Sequence, residues 1–156
     1  MRPEKEKSLD EAMKSAGRLL SRRQHTVSEL RAKLARREFP KAAIDEAVSS
    51  LAERKFLDDA NFAESYFSEL TAKGLGITRI RLAMRKRGVP PEIFNEVLSR
   101  GFSADDEARR AADALKKRHL SFDREKDLSK RKQKMFRYLA SRGFSSAVIC
   151  KVVAAG

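Results

Sequence analysis

The sequence predicts an all-α protein made of three tandem three-helix repeats, and two observations support this. Strict alternation of apolar and polar residues, which is typical of strands, is absent. One apolar skeleton occurs three times with identical steps of 4, 5, 5 and 4 residues: Leu30, Leu34, Phe39, Ile44, Val48; Ile80, Met84, Val89, Phe94, Leu98; Met135, Leu139, Phe144, Ile149, Val153. Steps of four keep side chains on one helical face, and steps of five carry the chain across a turn.

The repeat sets the expected boundaries along the chain. Residues 1–7 are highly charged and are predicted to be disordered. The repeats are expected at 8–57, 58–102 and 103–156. In such an array each unit contacts mainly its neighbours, so an elongated molecule is expected.

Capping and turn signals place the helices of the first repeat. Ser8 with Glu11, and Thr26 with Glu29, have the spacing of capping boxes that open the first and second helices. Pro40 cannot continue the second helix, but it suits the start of the third. The following pair, Phe56-Leu57, is expected to tuck under the junction with the next repeat.

Similar signals divide the second and third repeats. The stretch 73–76, Lys-Gly-Leu-Gly, is predicted to break a helix, and Gly88 to stop the next one. The third repeat opens at Ser103, its basic helix ends at Gly143, and Ser145 begins the last helix.

The charge balance indicates a polyanionic partner. The net charge is +13, with 22 acidic residues interspersed among 35 basic ones. Nucleic acid is the first candidate, an anionic membrane the second and an acidic protein face the third. No apolar run approaches the roughly 18 residues that span a bilayer, and the N-terminus lacks the features of a secretory signal. A cytosolic protein is therefore expected, with its single cysteine, Cys150, as a small buried hydrophobe.

The basic residues collect on the middle helix of each repeat and its approach. They are Arg22, Arg23, Arg31, Lys33, Arg36 and Arg37; Arg79, Arg81, Arg85, Lys86 and Arg87; Lys130, Arg131, Lys132, Lys134, Arg137 and Arg142. On one side of an array they would form a cationic track that contacts phosphates without sequence preference. The alternative is a set of ordinary solvated helix faces.

Two more specific kinds of nucleic-acid or phosphate site find less support. A helix-turn-helix reader is disfavoured because the densest charge lies on the second helix and base-reading Asn and Gln are scarce. The stretch 73–76 lacks the spacing of a Walker loop and no strand precedes it, although Lys73 and Arg79 can still bracket a phosphate.

The sequence offers no catalytic set, no metal site and no cofactor site. His25 and His119 lie far apart, each at a predicted helix end. The acidic pairs Asp58-Asp59 and Asp105-Asp106 stand at predicted helix starts, where such pairs are usually caps. No His/Cys cluster has zinc spacing.

Four segments together resemble the RecX family of recombination regulators. They are residues 19–34, LLSRRQHTVSELRAKL; 54–66, RKFLDDANFAESY; 73–89, KGLGITRIRLAMRKRGV; and 139–149, LASRGFSSAVI. The resemblance runs in order along nearly the whole chain from about Ser8. The Leu-Asp-Asp stretch combined with Lys-Gly-x-Gly-x-x-Arg-Ile is its most specific part. Leu70 and Ala83 depart from the family pattern, where arginine and glutamate are common.

The resemblance implies an elongated, curved array of three tandem three-helix repeats that acts on the RecA recombinase. Its expected target is the RecA filament on single-stranded DNA, whose strand exchange and ATP hydrolysis it would restrain; contacts to double-stranded DNA are possible. By position, the residues that match the family pattern are Arg22, Arg23, Lys73, Gly76, Arg79 and Arg81. The expected protein is a non-enzymatic cytosolic monomer without a cofactor and without a membrane partner. The alternative is a general nucleic-acid-binding protein.

Overall fold

A computed structural model describes the backbone of residues 4–156 and the side chains of residues 8–156. The disorder predicted for residues 1–7 lies outside the residues described in full, although α1 is assigned from Glu4, four residues before the start predicted at Ser8. The described residues are all-helical apart from turns. The helices are α1 (Glu4–Arg22), α2 (Val27–Arg36), α3 (Lys41–Glu53), α4 (Asp59–Ala72), α5 (Ile77–Lys86), α6 (Pro91–Gly101), α7 (Ala104–Lys117), α8 (His119–Asp123), α9 (Leu128–Ser141) and α10 (Ser146–Ala155).

The threefold apolar skeleton forms the core, as predicted. Of its fifteen residues, all but Phe39 and Leu98 are buried, and Phe39 packs against the buried cluster. The third repeat contains the additional short helix α8, which inserts Phe122 into the core. The repeated apolar spacing therefore predicts most of the buried residues of the middle and last helices of each repeat.

The chain divides into two compact units. Unit 1 comprises the chain up to Glu64 together with Met84–Phe94. In it α1, α2 and α3 pack around Leu30, Leu34, Ile44 and Val48. Unit 2 comprises Ser65–Ala83 and Asn95–Gly156. In it α7, α9 and α10 pack around a second core built on Leu139 and Ile149.

The middle helix of each repeat ends in the same left-handed turn. Glu38, Gly88 and Gly143 occupy equivalent positions with φ of 63°, 75° and 91°. The next residue in each case donates its backbone N–H to the carbonyl five residues earlier: Phe39 to Leu34, Val89 to Met84 and Phe144 to Leu139, at 3.1–3.3 Å. This is the Schellman arrangement that satisfies the last carbonyls of a helix.

Two local predictions are wrong. Leu57 is buried, but its neighbour Phe56 is 64% exposed. Both amides donate to the Leu51 carbonyl in the turn that ends α3, and that turn places only Leu57 on the core side. Cys150 is exposed rather than buried. Val148, Ile149 and Val153 take the inner face of α10, and the helical turn carries residue 150 away from that face.

Candidate nucleic-acid and partner interface

In unit 1, the start of α2 packs against the turn that ends α5, with Thr26 in contact with Arg87. We call this contact the joint of unit 1. The Thr26 hydroxyl donates to the Arg87 carbonyl at 2.5 Å, and it also accepts from the Glu29 amide in the predicted capping box. The turn at Gly88 lies so close that a Cβ there would stand 2.6 Å from the Cβ of Ser28. The capping residue of α2 thus also fixes the neighbouring repeat.

Glu29 supplies the charge at the joint of unit 1. Its carboxylate accepts from the Arg23 guanidinium at 3.2 Å and from Nε of Arg87, and it is only 14% exposed. Burial, the largest influence, opposes ionisation, but the hydrogen bonds from Arg87, Arg23 and Thr26 outweigh it and lower the pKa of Glu29. The Arg87 guanidinium also lies 4.7 Å from the ring centroid of Phe62. Arg87 is therefore fully engaged inside unit 1.

Unit 2 contains a second joint, between the start of α5 and the turn that ends α9. Backbone hydrogen bonds hold this joint: the Gly76 amide donates to the Arg142 carbonyl and the Thr78 amide to the Gly143 carbonyl, both at 2.9 Å. Arg79 donates to the Ser141 carbonyl at 3.0 Å. A Cβ at Gly143 would stand 2.5 Å from that of Arg79, so the close approach excludes a side chain there, and the left-handed φ favours glycine as well.

Each joint also uses an acidic side chain from the first helix of the following repeat. The Val27 amide donates to the Asp59 carboxylate at 2.9 Å, and the Ile77 amide donates to the Glu107 carboxylate at 3.0 Å. Glu107 is only 2% exposed. The pKa of Asp59 is raised, mainly because the carboxyl group is partly buried. Sequence alone assigned these acids to their own helices, whereas they cap the middle helix of the preceding repeat.

The predicted cations divide into engaged and unengaged groups. The engaged side chains are Arg23 and Arg87 on Glu29, Arg31 on Asp45, Lys33 on His25, Arg37 on Ser15, Lys73 on Glu69, Arg79 on the Ser141 carbonyl, Arg131 on Asp123, Lys134 on Glu125 and Arg142 on the Lys73 carbonyl. Among the described residues, seven predicted cations are exposed with no side-chain hydrogen bond or ion pair: Arg22, Arg36, Arg85, Lys86, Lys130, Lys132 and Arg137. Arg81 is exposed as well, on the outer side of α5.

Apolar side chains lie among these exposed cations. Leu82 is 48% exposed, three and four residues before Arg85 and Lys86 on α5. Phe136 is 38% exposed on α9, four residues after Lys132. Positions three or four apart share a helix face, so α5 and α9 each present a mixed apolar and cationic surface. Such a surface is suited to protein contact as well as to phosphates.

His25 has a role that the sequence did not indicate. It is 3% exposed, with Nδ1 2.9 Å from the Arg23 carbonyl and Nε2 2.9 Å from Nζ of Lys33. The lysine is a donor only, so Nε2 accepts and the proton sits on Nδ1. Burial, the largest influence, lowers the pKa of His25. The neutral ring orders the approach to α2.

Among the described residues, no group of three or more His, Cys, Asp and Glu side chains is arranged to hold a metal ion. In the same range, no helix combines the length and apolar character needed to cross a bilayer.

Comparisons with known proteins agree with this architecture. Models of the first, second and third three-helix domains of RecX match residues 12–51, 58–98 and 104–153. The regulatory protein RecX of Haemophilus influenzae strain 86-028NP is 36% identical over 129 residues, which cover 82% of this chain and 83% of that protein. That of Trichlorobacter lovleyi is 31% identical, covering 86% and 88%.

Solved structures share the fold. The crystal structure of RecX from Lactobacillus salivarius superimposes with a TM-score of 0.84 at 20% identity, covering 96% of each chain. Three consecutive domain matches and relatives above 30% identity along most of the chain lead to one conclusion. The chain belongs to the RecX family.

Proposed function

We propose that this chain binds the RecA filament on single-stranded DNA and restrains its strand exchange and ATP hydrolysis. Membership of a family of regulatory proteins is the observation that carries the proposal. The protein acts without catalysis of its own, in the cytoplasm, where the filament assembles. It is expected to bind as a monomer.

The surface of the middle helices supports this partner. Arg85 and Lys86 are exposed on α5 beside the partly exposed Leu82, and α9 repeats the combination with Lys132 and Phe136. Cations alone attract DNA phosphates, whereas apolar side chains among them favour a protein surface that carries acidic residues. A nucleoprotein filament offers both, and occupancy of its surface would hinder strand exchange.

The first test measures the DNA-dependent ATPase of RecA and images RecA filaments, with and without this chain. We expect slower ATP hydrolysis and altered filament lifetime at amounts near or below one chain per RecA. Unchanged hydrolysis together with unchanged filaments would reject the proposal.

A charge-reversed variant locates the surface. Arg85→Glu with Lys86→Glu should weaken binding to RecA-coated strands roughly tenfold or more, because like charges across an interface repel. The matched control is Lys14→Glu with Lys41→Glu, which changes the net charge equally at exposed positions of α1 and α3. Equal effects of both pairs would show that only overall charge matters.

The second candidate is a protein that binds DNA directly, which the net charge of +13 favours. Fluorescence anisotropy with naked and RecA-coated strands at physiological salt separates the two. Preference for coated strands supports RecA as the partner, and equal affinity supports DNA alone.

A further inference from the structure

We propose that a pocket beside the joint of unit 2, which shares Arg142 with it, is an oxyanion site that takes one phosphate group of a DNA backbone. It deepens the proposed function and depends on it only for the source of the phosphate. The site is a pocket of about 220 Å³ formed by the end of α4, the outer face of α7 and the end of α9. Its cationic lining residues are Lys73, Arg110, Lys117 and Arg142.

Among the described residues, only one of the four cations that line the pocket forms an ion pair. Lys73 pairs with Glu69 at 2.7 Å. Arg110 and Arg142 donate to the backbone carbonyls of Leu75 and Lys73, which leaves each guanidinium with further donors. The described residues show no hydrogen bond or ion pair for Lys117. Asp113 also lines the pocket, without an ion pair to these cations in the described part of the chain.

Arg142 carries the clearest sign of a missing partner. Its Nε is buried and has no hydrogen-bond acceptor in the described part of the chain. A buried donor without an acceptor is rare and costs free energy, so such a group calls for an explanation. Arg110 is half-buried as well, and burial, the largest influence, lowers its pKa despite the nearby Glu107 and Asp106. An anion in the pocket would supply a hydrogen-bond acceptor and a compensating negative charge to both guanidinium groups.

The equivalent arginine of unit 1 shows what the partner should be. Nε of Arg87 donates to the Glu29 carboxylate. The repeat position of Glu29 is occupied in unit 2 by Arg79, a second cation. Among the described residues, the oxyanion that unit 1 supplies from its own chain is thus lacking beside Arg142 in unit 2.

The size and chemistry of the pocket suit a phosphate. About 220 Å³ holds several waters at roughly 30 Å³ each, or a phosphate with part of its hydration shell. Arginine donors in a fork match phosphate oxygens, and lysine adds a point charge. Lys117 is exposed at the end of α7, so a backbone phosphate can reach it from solvent.

The direct test follows the Nε–Hε resonance of Arg142 in the ¹⁵N-labelled full chain. Inorganic phosphate and a short oligothymidylate are titrated separately. Shifts with both probes support the proposal. A shift with inorganic phosphate alone would overturn the DNA backbone as its source. No shift with either probe overturns the site, even if the chain still slows the RecA ATPase. Conversely, shifts with both probes but no effect on RecA would support the phosphate site and reject the proposed function.

A matched pair of variants gives a second readout. Lys117→Gln should weaken oligothymidylate binding roughly three- to tenfold and reduce the slope of log K against log salt by about 0.7, the value for one single-strand phosphate. Lys126→Gln removes the same charge from an exposed position between α8 and α9 and should leave both quantities unchanged. Equal losses in the two variants contradict a defined site.

Discussion

In both joints the start of one middle helix packs against the turn that ends the next middle helix, but different chemical groups hold the contact. In unit 1, the Thr26 hydroxyl holds the α5 turn, and the Glu29 carboxylate accepts hydrogen bonds from both Arg23 and Arg87. In unit 2, the Gly76 and Thr78 amides hold the α9 turn, and Arg142 has no internal carboxylate among the described residues. The first joint is electrostatically complete. The second is mechanically closed but retains excess positive charge, which makes it the better candidate for binding an anion.

The turn at the end of α2 gives the comparison a natural control. Glu38 has the same left-handed φ as Gly88 and Gly143. At those two glycines a Cβ would meet Ser28 or Arg79 of a docked helix, whereas Glu38 carries an exposed side chain. The joint, rather than the turn, therefore requires the glycine.

The largest expected effect comes from filling the joints. Gly88→Ala and Gly143→Ala should each lower the free energy of unfolding by about 2–4 kcal/mol, because a left-handed alanine is strained and its Cβ overlaps the docked helix. Glu38→Gly should change it by less than about 1 kcal/mol. Urea unfolding measures all three. Equal small effects at the three turns would contradict the joints.

Removal of the carboxylate from unit 1 ranks second. Glu29→Gln should cost about 2–3 kcal/mol in urea unfolding at neutral pH, because Arg87 is left largely buried without its anion. The control, Asp45→Asn, breaks the exposed pair with Arg31 and should cost less than about 1 kcal/mol.

The same variant has a pH signature with a defined sign. Because the pKa of Glu29 is lowered on folding, its stabilisation is present above the ordinary value of 4.5 and is lost as pH falls through the lower folded-state value. The stability difference between the parent chain and Glu29→Gln should therefore shrink on acidification. A difference independent of pH would show that the ionised pair is not responsible.

The smallest effect is expected from a substitution that makes the joint of unit 2 resemble that of unit 1. Arg79→Glu places a carboxylate at the repeat position of Glu29, near the unpaired Nε of Arg142, and should change the free energy of unfolding by only about 1 kcal/mol. It should also abolish the response of the Arg142 resonance to inorganic phosphate. A retained response would show that the two positions are not equivalent in the joints.

Much of the candidate site was predictable from spacing alone. The cations on α2, α5 and α9 follow from helical periodicity, because the apolar skeleton fixes which face is buried and leaves the remaining positions outside. The exposure of Arg85, Lys86 and Lys132 is an example. Arg110 and Lys117 were missed because the four basic residues of α7 are balanced by four acidic ones on the same helix. Only the packing of α7 beside α9 brings them to Arg142.

The sequence by itself determined the helices, their capping and the threefold core, since those depend on interactions within a few residues and on a period of 3.6. The tertiary structure alone decided which partner each polar group takes. Glu107 lies at the start of α7, yet it caps α5, 30 residues earlier in the chain. Arg87 and Arg142 share one repeat position, yet one finds a carboxylate and the other does not. A polar side chain bonds whatever group the packing places within about 3 Å, and local sequence does not specify that neighbour.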